Sequence, residues 1–353
     1  MCEFVINLKE ILRSFDKAKS YLCKKTKICV VVKANAYGFG ASKICQLLNI
    51  KADYFAVARL SEFLKIEKIA KKPVLILSPL FENEMKVAIE KGAEISIDSI
   101  EMLLCANKIA EAKHKIAKVH LVLDTGMNRF GIKQNSELER FLCVLKEMKN
   151  VRFVGAYSHV YDASDADSVK LQREKFISFK EMITKNGFNP IFHFASSVPL
   201  KDKENQFDMV RLGFDEYYSE TSKHMFVARI LETKEVLKGE KISYSGTFVA
   251  QKDMKIAICS AGYADGLPRK MSNKGEVLIC GQKAPIIGRV CMDVFMCDIS
   301  NVSGAKVGEK VVIFGCQKES SISVCQVAEI CDTIAYEIYT GISERVKRVY
   351  KWR

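Results

Sequence analysis

This 353-residue sequence predicts an α/β fold: an N-terminal (β/α)8, TIM-like barrel followed by a mostly β C-terminal domain. Three observations predict it. Eight apolar, β-branched runs fill the first two-thirds of the chain. Amphipathic stretches lie between most of them. Beyond about residue 225, strand-like runs follow one another with few helix candidates. Buried parallel strands read as continuous apolar runs, and helices between them act as crossovers. Eight such units point to a closed barrel rather than an open sheet.

The eight runs are KICVVVK (27–33), YFAVA (54–58), VLILS (74–78), EISID (94–98), VHLVLD (119–124), FVGAYSH (153–159), IFHFAS (191–196) and MVRLG (209–213). Between them, SKICQLLNI (42–50) and SIEMLLCANKIAEA (99–112) read as helices. The second puts Ile100, Leu103, Leu104 and Ile109 near one face. The last crossover is the weakest, because residues 198–208 are few and include Pro199. The barrel is expected over 1–225 and the β domain over 226–353. That second part runs through HMFVARILET, KISYSGTFVA, KIAICSAGY, GEVLIC, APIIGRVCMDVFMCDI and EKVVIFG, with glycines between strands. One short helix is predicted near 324–331.

Composition narrows the function classes. The net charge is +13, but the lysines are scattered and no aromatic-basic interleaving marks a nucleic-acid surface. No apolar run reaches membrane-spanning length. The 13 cysteines, odd in number and without a C-x-x-C pair, fit a reducing, cytoplasmic compartment with free thiols. The N-terminus MCEFVINLKE lacks a basic-then-apolar signal segment. The five histidines show no zinc-ligand spacing, and no metal is expected.

Polar residues gather where such a barrel does chemistry, at the C-terminal ends of its strands. Lys33 ends the first run and Asp98 the fourth. Arg129 follows the fifth, in LDTGMNRFG, and His159 ends the sixth. Ser196 and Ser197 follow the seventh; Arg211 and Gly213 close the eighth. Singly each has an ordinary explanation, since a strand-end lysine can snorkel to solvent and a histidine in a β run can be a bonded core residue. Together at the mouth they outline a site. Ser197 and the backbone near Gly213 fall where barrels often hold a phosphate.

These residues resemble the alanine racemase family. VVKANAYGFG (31–40) is similar to its pyridoxal-phosphate lysine motif, and LDTGMNRFG, SAGYADGLPR (260–269) and GRVCMD (288–293) are similar to three further signatures in the family's order. The likeness runs from INL (6–8) to AYEIYTGIS (335–343). It implies a racemase of L- and D-alanine that supplies D-alanine for bacterial peptidoglycan. Lys33 would hold pyridoxal 5'-phosphate as a Schiff base and serve as one base. Tyr263 would be the other. Tyr37, Ser197, Tyr336 and the backbone at Gly213 and Phe214 would hold the phosphate. Arg211 would face the pyridine nitrogen, while Arg129 and Met292 would lie near the substrate carboxylate. His159 and Arg211 would supply positive charge to help Tyr263 ionise. The resemblance also implies a homodimer with shared sites, in which Tyr263 and Met292 enter from the partner.

The chain departs from the family at several points. Val122 stands where many members carry a lysine modified to a carbamate that orients the arginine. Ser196 replaces the usual asparagine. Asp215 and Glu216 put an acidic pair beside the expected anion site. Racemisation of serine or another amino acid, decarboxylation, and a cofactor-carrying regulator without turnover are the competing readings. GYADGLPR and the presence of the β domain argue for the racemase.

Overall fold

The computed structural model describes residues 2–197, 199–218 and 223–352. Strand β1 (Glu3–Asn7) comes first. Eight strands then close a parallel barrel: β2 (Lys27–Val31), β3 (Tyr54–Val57), β4 (Val74–Ile76), β5 (Glu94–Ile97), β6 (Ala117–Val122), β7 (Val151–Tyr157), β8 (Ile191–Ser196) and β9 (Met209–Leu212). Closure runs through the parallel pairing of β2 with β9, Lys27 opposite Met209. Most apolar residues of these strands are buried, as expected for a parallel sheet covered by helices.

Helices cover the crossovers at Ala41–Leu48, Leu60–Ile66, Glu82–Glu90, Ile100–Ala112, Asn135–Lys146 and Ala166–Lys185. Ser99 caps the fourth of these by accepting the Met102 N–H at 3.3 Å. Its buried face is Leu103, Ala106, Ile109 and Ala110, whereas Leu104, expected on that face, is exposed. At 100° per residue, Leu103, Ala106, Ile109 and Ala110 fall on one face of the helix, and Leu104 falls on the opposite one. Between β8 and β9 the described residues make two short 3-10 turns, Pro199–Lys201 and Lys203–Asn205.

The second compact unit comprises residues 1–13, 37–40 and 217–353, and the barrel unit comprises 14–36 and 41–216. A cut near 225 assigns 1–13 and 37–40 to the barrel; by contact they group with the β-rich unit. The β-rich unit contains β10 (Met225–Val236), β11 (Lys241–Ile242), β12 (Phe248–Val249), β13 (Met254–Cys259), β14 (Glu276–Ile279), β15 (Gln282–Ile287), β16 (Phe295–Asp298), β17 (Lys310–Gln317), β18 (Ser320–Ile322) and β19 (Lys347–Lys351). Nine strands form one sheet in the order β18-β17-β14-β15-β16-β13-β10-β1-β19. Strand β1 lies between β10, antiparallel, and β19, parallel.

The predicted helix is present at Val324–Ile330, where Ser323 and Gln326 form a reciprocal cap. A second helix, Ala335–Gly341, follows it and carries Tyr336. All 13 cysteines are free thiols. Among the described residues no helix is long and apolar enough to cross a membrane.

Candidate active site

Lys33 sits two residues beyond the end of β2, at the start of a rare local conformation. Ala34, Asn35, Ala36 and Tyr37 all have φ between 49° and 55°, so four consecutive non-glycine residues turn left-handed. Each costs about 1–2 kcal/mol relative to the right-handed form. Local bonds hold the turn. Glu62 accepts the Ala34 N–H at 2.6 Å with one oxygen and the Ala58 N–H at 2.7 Å with the other. Asn35 Oδ1 accepts the Ala41 N–H at 2.9 Å. The Lys33 amine is partly buried. Burial, then the nearby Arg129 charge, and finally Arg211 lower its pKa, against an opposing pull from Glu62. A neutral amine is what a carbonyl-binding lysine or a base requires.

Arg211, 5% exposed at the end of β9, is the most heavily bonded side chain of the site. Its Nη1 donates to His193 Nδ1 at 2.8 Å and to the His193 carbonyl at 3.0 Å. Its Nη2 donates to the carbonyls of Ser158 at 2.6 Å and Phe194 at 3.2 Å, and lies 3.4 Å from His159 Nδ1. The guanidinium carbon lies 5.2 Å from the Tyr157 ring centre.

The bonding continues inward. His193 Nε2 lies 3.0 Å from His120 Nδ1, and His120 Nε2 lies 2.8 Å from Glu94 Oε2. Arginine has no acceptor, so His193 Nδ1 must accept. Its proton is then on Nε2 and points to His120 Nδ1, which leaves the His120 proton on Nε2, aimed at Glu94. One arrangement satisfies every atom: a cation at Arg211, two neutral imidazoles with fixed tautomers, and a carboxylate at Glu94. Burial and the Arg211 charge hold His193 well below the usual histidine range, in agreement. The His120 ring fits because its register partner on β7 is Gly155; a Cβ there would run into the imidazole.

His159, two residues past β7, is also held neutral. Burial and the charges of Arg211, Arg129 and Lys33 push its pKa down to about 3. Arg211 is the permanent charge of the pair expected to help Tyr263 ionise. Arg129 is exposed, with its guanidinium carbon 5.9 Å from the Phe130 ring centre. Val122 is a buried barrel residue.

Ser197 Oγ and the Gly213 N–H converge on one carboxylate oxygen of Glu216, at 2.6 and 2.8 Å. Phe214, buried, begins the single turn Phe214–Tyr217 that carries this acid. The barrel unit thus brings together Lys33, Arg129, His159, Ser197, Arg211, Gly213 and Phe214.

The β-rich unit holds the remaining expected residues in two groups. The rings of Tyr37 and Tyr336 meet edge to face, 6.1 Å between centres. Tyr263 and Met292 lie on adjoining segments: the Tyr263 N–H donates to the Cys291 carbonyl and the Ala264 N–H to that of Met292, each at 3.0 Å. Asp265 pins the Tyr263 loop through the Gly262 N–H at 2.9 Å and Arg345 at 2.9 Å. Tyr263 is 44% exposed and Met292 51%.

Two family models match consecutive parts of the chain: the alanine racemase N-terminal domain over residues 6–220 and the alanine racemase C-terminal domain over 224–350. The chain belongs to the alanine racemase family. It is similar to alanine racemase 2 of Caldanaerobacter subterraneus subsp. tengcongensis, with 36% identity over 99% of this chain and 94% of that protein. Among solved structures, alanine racemase of Clostridium difficile 630 is similar with a TM-score of 0.93 and 29% identity, covering 99% of this chain and 95% of that one. Alanine racemase of Bacillus anthracis with bound L-Ala-P is similar with a TM-score of 0.91 and 30% identity, over 99% and 95% of the two chains. Members of the family thus share both the barrel and the β-rich unit with this chain.

Sequence reading does not single out Glu94, His120 or His193. Their signal is an ionisable residue inside an otherwise apolar strand run: EISID, VHLVLD and IFHFAS. Such residues in a buried strand need partners, and here they are one another's.

Proposed function

We propose that this chain is a pyridoxal-phosphate-dependent alanine racemase that works with two bases, Lys33 and Tyr263. The residues present fit the cofactor. Lys33 is a strand-end lysine with a depressed pKa. Ser197 Oγ and the Gly213 N–H already hold one carboxyl oxygen of Glu216 together. Those two donors would take the phosphate, with the Phe214 backbone, and Tyr37 and Tyr336 would complete its surroundings. When bound, the cofactor withdraws electrons from the substrate's α-carbon and so acidifies its proton.

The chain's own residues would do the rest. Racemisation takes a proton from one face of the α-carbon and returns one to the other, so each face needs a group that can both accept and donate. Lys33 Nζ would serve one face and Tyr263 Oη the other. Arg211, locked by five acceptors, would face the pyridine nitrogen and give it no proton, because guanidinium stays charged. Arg129 and Met292 would meet the substrate carboxylate. Exposed Tyr263 and Met292 suit residues that cap the barrel of a second copy, giving a homodimer with two shared sites. The 13 free thiols suit a reducing cytoplasm, where the product would feed peptidoglycan synthesis.

The observation that carries this reading is the convergence of Lys33, Arg211, Ser197 and Gly213 at the strand ends of a chain matched throughout by the two family models. The experiment is a chiral assay of L-alanine turnover, with L-serine and other common amino acids alongside, paired with borohydride reduction and peptide mapping. D-alanine should form fastest and the pyridoxyl label should fall on Lys33. A label on another lysine, or no D-alanine, refutes it.

A further inference from the structure

Glu216 is 4% exposed, and its Oε2 occupies both donors just assigned to the phosphate. The Gly213 N–H also reaches Ser197 Oγ at 3.3 Å, so the three groups form one closed triangle. The turn that carries the acid is fixed from below, its Glu216 N–H bonded to the Gly213 carbonyl at 3.1 Å. A carboxylate of the chain therefore stands where an incoming anion must go. Two anions cannot share the same two donors, and like charges in one buried site cannot both stay ionised.

The charge balance there is already close to tipping. Burial pushes the Glu216 carboxyl up to about 7, against the Ser197 hydrogen bond, and neighbouring Asp215 adds to the rise. The end of β8 contributes only the neutral Ser197 hydroxyl, and Arg211 on β9 is committed to His193, Ser158 and Phe194.

We propose that Glu216 is a proton-linked phosphate ligand: as a carboxylate it closes the Ser197–Gly213 site, and on phosphate binding it yields both donors, takes up one proton and remains beside the anion as a neutral hydrogen-bond donor. This rests on the reading of Ser197 and Gly213 as phosphate ligands. The step balances simply. One proton comes from solvent to the Glu216 carboxylate, and no bond within the phosphate ester forms or breaks.

Sulfate is the probe, because it stays a dianion between pH 6 and 8, whereas a phosphate changes charge there. Its binding to cofactor-free protein is measured by calorimetry in buffers of different ionisation enthalpy, for wild type, Glu216→Gln and Glu216→Leu, with circular dichroism as the check on folding. Wild type should take up close to one proton at pH 8 and lose about tenfold in affinity per pH unit above 7. Both variants should bind sulfate without proton uptake and without that slope, and Glu216→Gln should bind about tenfold tighter than wild type at pH 8. Ser197→Ala should weaken sulfate in every background. Equal affinity of wild type and Glu216→Gln at pH 8, no proton uptake by wild type, or no sulfate binding at all overturns the proposal. Attachment of pyridoxal phosphate to Lys33, followed in the same proteins, separates the two ideas. Proton-linked sulfate binding without attachment leaves the gate and removes the cofactor reading. Attachment without proton linkage does the reverse.

Discussion

Arg211 donates to His193 Nδ1 at 2.8 Å, and that one bond fixes the protons of two buried imidazoles as far as Glu94. The barrel thereby carries a cation at its mouth and the matching anion inside, with neutral hydrogen bonds between. Removing His193 leaves His120 Nδ1 without its donor and Arg211 with one acceptor fewer. His193→Leu is expected to cost about 1–3 kcal/mol in urea unfolding. Glu94→Gln, which keeps an acceptor for His120, should cost clearly less than Glu94→Leu. Losses below about 1 kcal/mol for both His193→Leu and Glu94→Leu would contradict the relay.

The left-handed turn makes a pair of opposite predictions. Ala34 is exposed with φ 49°, so Ala34→Gly should relieve strain and stabilise by up to about 1 kcal/mol. Gly38 has φ 89°, and a Cβ there would meet the Tyr339 carbonyl oxygen. Gly38→Ala should therefore destabilise by at least about 2 kcal/mol. Thermal unfolding of both variants measures this, and a stabilised Gly38→Ala would be the wrong sign.

His224 links stability to acid. Its Nδ1 accepts the Asn7 N–H at 3.0 Å and its Nε2 bonds the Tyr217 carbonyl at 2.9 Å, which requires a neutral ring. Burial pushes its pKa down to about 4, only partly offset by the Tyr217 bond. The unfolded chain protonates near 6.5, so below that pH it binds the proton first and the folded state loses ground. The stability gap between wild type and His224→Gln should narrow by about 1.4 kcal/mol per pH unit as pH falls from 6.5 toward 4. Urea midpoints at pH 7, 6 and 5 measure it; a constant gap would show that His224 does not titrate this way.

Much of this is legible in the sequence. Apolar β-branched runs declare the barrel strands, and Lys33, Arg129, His159 and Arg211 mark a candidate site because strand ends of a closed barrel converge. The rest depends on non-local geometry. Strand β1 is five residues, EFVIN, whose partners β10 and β19 lie far along the chain. Glu94, His120 and His193 meet only because closure sets which strand face points inward. The left-handed run from Ala34 to Tyr37 has no residue-type signature, since three of its members, Ala34, Ala36 and Tyr37, ordinarily avoid that region. Glu216 is visible as an acid near an anion site, but its bond to Ser197 comes from packing two strand ends together.

The proposed sharing of sites between two copies makes a prediction about mixtures. Lys33→Ala and Tyr263→Ala should each be nearly inactive. Unfolded and refolded together, half the dimers should be mixed, each with one doubly damaged site and one intact site. Activity should return to about a quarter of wild type if sites act independently. No recovery despite verified mixed dimers would mean that both residues of a site come from one chain.

Two bases on opposite faces are the core of the account, and α-proton exchange in D2O tests them most directly. Tyr263→Phe removes one base and leaves Lys33 with the cofactor. Racemisation should fall by about 10²–10⁴-fold. One enantiomer of alanine, and only one, should still exchange its α-proton for deuterium with retained configuration, as followed by NMR with chiral analysis. A Tyr263→Phe enzyme that racemises at the wild-type rate, or exchanges both enantiomers equally, would contradict the assignment of the second face to Tyr263.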